Sequence, residues 1–316
     1  MKSYVALCGL AIATLLAMSS TAQDMVSTPS TPAVQAQPQA GRNETNATPG
    51  QITDPGVAVR PPLPLPKNPK LPTVYLVGDS TVRNGKGDGA GGQWGWGEPL
   101  TAYFDSDKMN VVNRAIGGRS SRTYITEGRW DELLAMLKPG DFVIIQFGHN
   151  DPGPLDDTSR ARGTLPGVGE ESKEIFNPIT KKQEVVHTYG WYMRKYVSDT
   201  VAKGAIPIVC SPIPRKIWKD GKIVRNADTY GGWAKQVAAA SNAVFLDLNE
   251  IIAHRYDALG EAQVETLFAD PHTHTSLVGA ELNAECVVAG LKALQNISLD
   301  RYLSEKGKSV HSDSGR

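Results

Sequence analysis

The chain has little of several things. Only three of its 316 residues are cysteine and six are histidine, so neither a disulfide framework nor a histidine-rich metal cage is on offer. Basic and acidic side chains number 33 each, which removes the one-sided charge expected of a protein that holds nucleic acid or an anionic membrane surface. One long apolar run exists, Val5 to Met18, and it is too short to span a bilayer. Behind Lys2 and ahead of Ser20-Thr21-Ala22, it reads as a secretory leader over 1–22 that is cut near Gln23.

Large apolar residues are also scarce over 23–70, where Pro, Thr, Gln and Ala dominate. This composition predicts an extended linker. The segment 299–316 is polar and reads as a frayed tail. Between them, 71–298 is long enough for one α/β domain. Cys210 and Cys286 both fall in apolar segments of it, either as buried thiols or as a disulfide.

Five apolar runs punctuate this domain: Val74–Val77, Met109–Asn113, Phe142–Phe147, Ile206–Cys210 and Val244–Leu248. Runs without alternation suit parallel strands covered on both faces. Helical spacing recurs between them, over Trp130–Leu137, Tyr192–Lys203, Ala227–Ala240, Asn249–Leu259 and Ser276–Leu294. The alternation predicts a three-layer α/β/α sandwich on a five-stranded parallel sheet, with the ligand at the carboxyl ends of the strands. Pro152–His187 breaks the rhythm and is expected to be a substrate-side lid.

Motifs collect at the strand ends. The first strand runs into Gly78-Asp79-Ser80-Thr81. Ser80 has three readings: a helix cap, a phosphate-loop residue or a nucleophile. The glycines from Gly85 to Gly92 would break a long helix. Gly87, Gly89 and Gly92 match a dinucleotide fingerprint in form only, because they lie too far from the strand. A serine nucleophile needs a base and an oxyanion hole. The second strand ends in Gly117-Gly118-Arg119-Ser120, where glycine lets a backbone N–H meet a ligand. The third ends in Gly148-His149-Asn150-Asp151, where an amide side chain can donate to an oxyanion. Late in the chain, Asp270-Pro271-His272-Thr273-His274 offers a base and a carboxylate to orient it. As a zinc site it is poor, with two histidines, one aspartate and no cysteine.

These four blocks together resemble the SGNH (GDSL-type) hydrolases. "GDSTV", "NRAIGGRSSRTY", "FGHND" and "HTHTS" followed by "GAELNA" resemble the rhamnogalacturonan acetylesterase family over Leu71 to about Leu294. The resemblance implies a flavodoxin-like SGNH fold and a serine esterase. Ser80 would be its nucleophile, His274 its base and Asp270 the orienting carboxylate. The N–H groups of Ser80 and Gly118 and the Asn150 amide would form its oxyanion hole. No metal or organic cofactor is implied. Asp270 stands one position earlier than the family's usual aspartate. Either the loop bulges to bring it onto His274, or a backbone carbonyl orients that histidine instead.

The family also implies a small acyl group on an acetylated plant cell-wall polysaccharide, rhamnogalacturonan foremost. The partners expected are thus polysaccharide or oligosaccharide, with no nucleic acid and no membrane span, in a secreted or periplasmic setting. Trp94, Trp96, Trp191 and Tyr192 are candidates to stack on sugars, Arg83 and Arg119 to meet uronate carboxylates, and His272 to touch substrate. Within these, Trp94, Arg119 and His272 are the tentative substrate residues. Two alternatives stay open: an O-acetylesterase for xylan or another polysaccharide, and a non-catalytic carbohydrate-binding surface protein of the same fold.

Overall fold

A computed structural model describes residues 62–83, 89–294, 297–313 and 315, all within one compact unit. The leader expected over 1–22 and most of the expected linker lie outside the described residues. Nine strands occur among the described residues, in chain order: β1 (Thr73–Gly78), β2 (Asn110–Asn113), β3 (Phe142–Gln146), β4 (Ser172–Asn177), β5 (Lys182–His187), β6 (Ile206–Cys210), β7 (Trp218–Lys219), β8 (Lys222–Ile223) and β9 (Val244–Leu246). The helices are α1 (Gly97–Leu100), α2 (Ser121–Thr126), α3 (Arg129–Leu134), α4 (Tyr189–Ala202), α5 (Tyr230–Ala240), α6 (Leu248–Leu259), α7 (Glu261–Glu265), α8 (Leu277–Ala293) and α9 (Glu305–Ser309).

Five strands form one parallel sheet in the order β2-β1-β3-β6-β9, the doubly wound arrangement that the βαβ alternation predicts. Alternate residues of each strand feed two separate cores. Leu76, Ile144, Ile208 and Leu246 meet α6 and α8 on one face, while Val77, Ile145 and Val209 meet α2, α3, α4 and α5 on the other. Each such aliphatic chain contributes roughly 1.5–3 kcal/mol by leaving water, so the two cores set the positions of all five strand ends.

Three expectations need correction. The segment Pro152–His187 is not a bare loop, because β4 and β5 pair antiparallel within it. Its polar strand faces hide the signal: β4 buries only Ile175 and Asn177. The segment is fixed by Arg122, which is fully buried and donates from Nε and Nη2 to both carboxylate oxygens of Glu184, at 2.7 Å each, and from Nη1 to the Leu155 and Gly163 carbonyls. The tail is not frayed. Leu299 and Leu303 are buried, Ser304 N donates to the Tyr103 carbonyl and Asp313 N to the Ala289 carbonyl. The end of the expected linker is also docked, since Asn68 exchanges two hydrogen bonds with the Asn110 side chain. Cys210 and Cys286 are free and buried. Burial pushes both thiols up, Cys286 to about 12, so neither is a reactive thiolate at neutral pH.

Candidate active site

Ser80 begins a single turn that leaves β1. The turn is closed by Val82 N and Arg83 N, which donate to the Asp79 carbonyl at 3.2 and 2.9 Å. The first N–H of such a turn has no partner within it, and Ser80 N donates to nothing among the described residues. The sharp exit requires Gly78: a Cβ there would lie 2.5 Å from Val82 Cγ2 and 2.7 Å from the Gln146 carbonyl oxygen.

A buried polar chain holds the turn from below. Trp96 Nε1 donates to Gln146 Oε1 at 3.0 Å, Gln146 Nε2 to Thr81 Oγ1 at 2.7 Å, and Thr81 Oγ1 to Asp79 Oδ1 at 2.8 Å. Asp79 Oδ2 then faces His149 Nδ1 at 3.4 Å, an ion-pair separation rather than a hydrogen bond, and His149 Nε2 donates to the Ile213 carbonyl at 3.0 Å. Burial would raise the Asp79 carboxyl, but the charge of His149 and the donors of Thr81 bring it below the usual range. Gln146, Thr81 and Trp96 are site-supporting residues that sequence reasoning missed. A glutamine inside an apolar run, such as Gln146 in "FVIIQF", is the one available signal, because a buried amide demands partners.

The late Asp/His segment closes over Ser80. Thr275 and Trp94 pair across a short bridge, with Trp94 N donating to the Thr275 carbonyl and Thr275 Oγ1 to the Trp94 carbonyl, both at 2.8 Å. Ser276 caps α8 immediately afterwards. This brings His274 Nε2 to 2.8 Å from Ser80 Oγ. His274 Nδ1 lies 2.5 Å from Asp270 Oδ2. The extra residue before His274 is absorbed in a tight turn, where Asp270 Oδ1 accepts the backbone N–H groups of His272, Thr273 and His274 at 3.1, 2.7 and 3.0 Å. A carboxylate, not a backbone carbonyl, therefore faces His274 Nδ1. Burial acts to raise the Asp270 carboxyl, but the hydrogen bonds from His274 and from two backbone N–H groups outweigh it and hold the group well below the ordinary carboxylate range.

The other two strand ends complete the site. Ile116 N donates to the Gly78 carbonyl at 3.0 Å, tying the loop after β2 to the exit of β1. Gly118 adopts φ +78°, in the left-handed region, and its N–H donates to nothing among the described residues. Asn150 Nδ2 donates to the Arg119 carbonyl at 2.9 Å, which aims the amide and leaves its second N–H available. Asp151 accepts from Ser121 N and Ser121 Oγ. Ser80, Gly118, Asn150, Asp270 and His274 thus all lie on the loops that follow β1, β2 and β3 and precede α8.

The tentative substrate residues divide. Trp94 is half-buried beside Thr275. His272 is half-buried too, its Nδ1 2.6 Å from Thr273 Oγ1, and burial together with the Arg215 charge pushes its pKa down. Arg119 is occupied: it pairs with Glu127 at 3.1 Å and donates to the Gly117 carbonyl. Arg83 likewise faces Glu98 at 3.5 Å. Trp96 and Tyr192 are core residues at 0% and 2% exposure, which ends their candidacy as sugar platforms. Trp191 stacks on His187 at 4.0 Å between ring centroids.

A serine, a histidine and an aspartate in this order, with unspent donors on adjacent loops, form the constellation of an acyl-transfer enzyme. Residues 76–282 match the family of GDSL-like lipases and acylhydrolases. The chain belongs to that family. This GDSL-like hydrolase is 33% identical over 223 residues to a rhamnogalacturonan acetylesterase of Emericella nidulans, covering 70% of this chain and 84% of that one. It is 32% identical over 226 residues to a probable rhamnogalacturonan acetylesterase of Bacillus subtilis, covering 70% and 93%. The crystal structure of the YxiM protein of Bacillus subtilis superposes with a TM-score of 0.58 at 25% identity. That match takes in 72% of this chain but only 58% of the other, so the chain spans less than two thirds of YxiM. With this kinship, the GDSL-like hydrolase is a carboxylic ester hydrolase, similar to a rhamnogalacturonan acetylesterase and a probable one. Among its described residues no helix is long and apolar enough to cross a membrane.

Proposed function

We propose that the chain is an exported serine acetylesterase that removes acetyl groups from the rhamnogalacturonan of pectin. One observation carries the catalytic half of this reading: the unbroken relay of 2.8 Å from Ser80 Oγ to His274 Nε2 and 2.5 Å from His274 Nδ1 to Asp270 Oδ2. The substrate half is supported by the names of the two relatives, and export by the leader pattern over 1–22, which suits a polymer met outside the cytoplasm.

Ser80 Oγ attacks the acetyl carbonyl carbon while His274 Nε2 takes the hydroxyl proton. The carbonyl oxygen becomes an oxyanion and meets the N–H groups of Ser80 and Gly118 and the free amide N–H of Asn150. Losing one such donor typically costs about 10²–10³ in rate. The tetrahedral intermediate collapses, the C–O bond to the sugar breaks, and His274 returns its proton to the departing alkoxide. Water then attacks the acetyl-serine with His274 again as base, releasing acetate and restoring Ser80. Asp270 stays ionised throughout, holds the imidazole tautomer and stabilises the imidazolium. Every step uses groups of the chain and water.

Hydrolysis of p-nitrophenyl acetate by wild type and Ser80→Ala tests the chemistry, and a drop of about 10⁴-fold or more is expected. An inert wild type, or a variant at full rate, removes the serine-esterase reading and leaves a binding protein. Acetate release from acetylated rhamnogalacturonan, homogalacturonan and xylan tests the substrate. Fastest release from xylan would move the reading to a xylan esterase.

A further inference from the structure

Eight of the twelve arginines among the described residues form an ion pair. Arg301 lies over the Tyr302 ring. The remaining three, Arg160, Arg162 and Arg215, have no ion-pair partner among the described residues, and all three adjoin the site just described. The point where a Cβ on Gly118 would sit is 3.6 Å from Nη1 of Arg160 and 3.6 Å from Nη1 of Arg162, with no other neighbouring atom within 4 Å. Arg162 Nη1 donates to the Gly118 carbonyl at 3.1 Å. From another loop, Arg215 Nη2 donates to the His149 carbonyl at 3.2 Å, and the next residue, Lys216, donates its N–H to the His272 carbonyl.

Arg162 and Arg215 are half-buried and each spends one of its five N–H donors on the protein. Burial and the neighbouring Arg160 charge push the Arg162 pKa down. Asp79, Asp151 and Asp157 act on Arg162 only from beyond ion-pair range, and Asp79 and Asp270 act on Arg215 in the same way. The Arg160 and Arg162 heads meet beside Gly118 with no carboxylate of the described residues within ion-pair distance, so they repel each other, and an anion placed there relieves the repulsion. The planar fork of arginine matches a carboxylate in two parallel hydrogen bonds.

We infer that Arg160, Arg162 and Arg215 form a cradle that binds the carboxylate of a uronic acid residue and so selects acidic over neutral polysaccharide. The inference rests on the polysaccharide reading above. It also replaces Arg83 and Arg119, whose charges are already taken by Glu98 and Glu127.

Competitive inhibition of p-nitrophenyl acetate hydrolysis tests the cradle without needing the natural polymer. At low salt, digalacturonate should inhibit wild type with a Ki at least about tenfold below that of neutral galactobiose, and moderate salt should narrow the gap. Arg160→Ala is the cleanest variant, since that side chain is exposed and hydrogen-bonds to nothing among the described residues; it should lose about half or more of the logarithmic preference, and Arg162→Ala should lose more. Equal inhibition by the two disaccharides in wild type overturns the cradle, as does a preference that both variants retain. Preferential inhibition without acetate release from acetylated rhamnogalacturonan keeps the cradle and removes the assigned polymer. Release without preferential inhibition does the opposite.

Discussion

Ser80 has an aspartate–histidine pair on either side. In Asp270–His274 both side chains are 22% exposed, the contact is 2.5 Å, and Nε2 of the ring faces a hydroxyl. In Asp79–His149 the side chains are 0% and 6% exposed, the contact is 3.4 Å, and Nε2 faces the Ile213 carbonyl. A carbonyl oxygen only accepts, so His149 Nε2 must carry a hydrogen and has no lone pair to offer a nucleophile. His274 Nε2 faces an oxygen that can donate. In the proposed mechanism the same two residue types thus serve proton transfer in one place and support of the Ser80 turn in the other. The partner of the second ring nitrogen and access to substrate decide which.

The comparison breaks most directly at the histidines. His274→Ala should lower kcat on p-nitrophenyl acetate by about 10⁴-fold or more, with a stability loss in urea smaller than that of His149→Ala, because Asp270 is partly exposed and keeps its backbone donors. His149→Ala leaves Asp79 as a buried charge without its partner, so its main effect should be a stability loss of about 3–5 kcal/mol, with a far smaller fall in kcat for the protein that remains folded. Equal losses of kcat would mean that His149 takes part in the chemistry and that the two pairs are not distinct.

The carboxylates carry the next effect. Asp270→Asn keeps the turn but presents the wrong partner to His274 Nδ1, and kcat should fall by about 10³–10⁴-fold. Asp79→Asn keeps an acceptor for Thr81 and should cost stability, on the order of 2 kcal/mol, more than rate. Both carboxyls sit below their usual value in the folded protein. An unfolded aspartate titrates near pH ~3.9. Each therefore stabilises the fold above about pH 4 and loses that contribution as pH falls further, toward the folded value. Each Asn variant should show a shallower acid limb in stability against pH than wild type, and identical limbs would remove the argument.

The sequence carried this much of the candidate site because its strands are hydrophobic on both faces and the residues proposed for catalysis follow them directly. Runs such as Val74–Val77 and Phe142–Phe147 announce a buried parallel strand, and whatever follows such a strand stands at the ligand edge. Ser80, Gly118 and Asn150 were legible for that reason. Asp270 was harder, since its approach to His274 depends on three backbone N–H groups converging on one carboxylate oxygen, a property of a turn and not of residue types. Hidden altogether were the long-range pairings. Nothing local to Arg122 announces that Glu184 will meet it, and the polar faces of β4 and β5 read as loop until that ion pair fixes them. Arg119 misled for the opposite reason: an arginine beside a glycine at the ligand edge looks free until Glu127 is placed against it.

A third carboxylate isolates what the histidine contributes in the buried pair. Asp151 is as buried as Asp79 and lies near it, but among the described residues no histidine or arginine pairs with it and its Oδ2 has no hydrogen-bond partner. Burial pushes its pKa up to about 7, with the Asp79 charge adding to the rise, although Ser121 donates twice to Oδ1. Between the unfolded value near ~3.9 and the folded value near 7 the folded state holds a proton that the unfolded chain has lost. Stability from this group therefore falls as pH rises through that window and levels off above it, opposite in sign to Asp79 and Asp270. Asp151→Asn retains an Oδ1 acceptor for Ser121 and carries no charge, so it should flatten the decline and leave the protein more stable than wild type at pH 8, by on the order of 2 kcal/mol. Chemical denaturation of both proteins at pH 5 and pH 8 measures the difference. A variant less stable than wild type at pH 8 would mean that the Asp151 carboxylate is paired in the fold, and Asp79 would then owe less of its ionisation to His149.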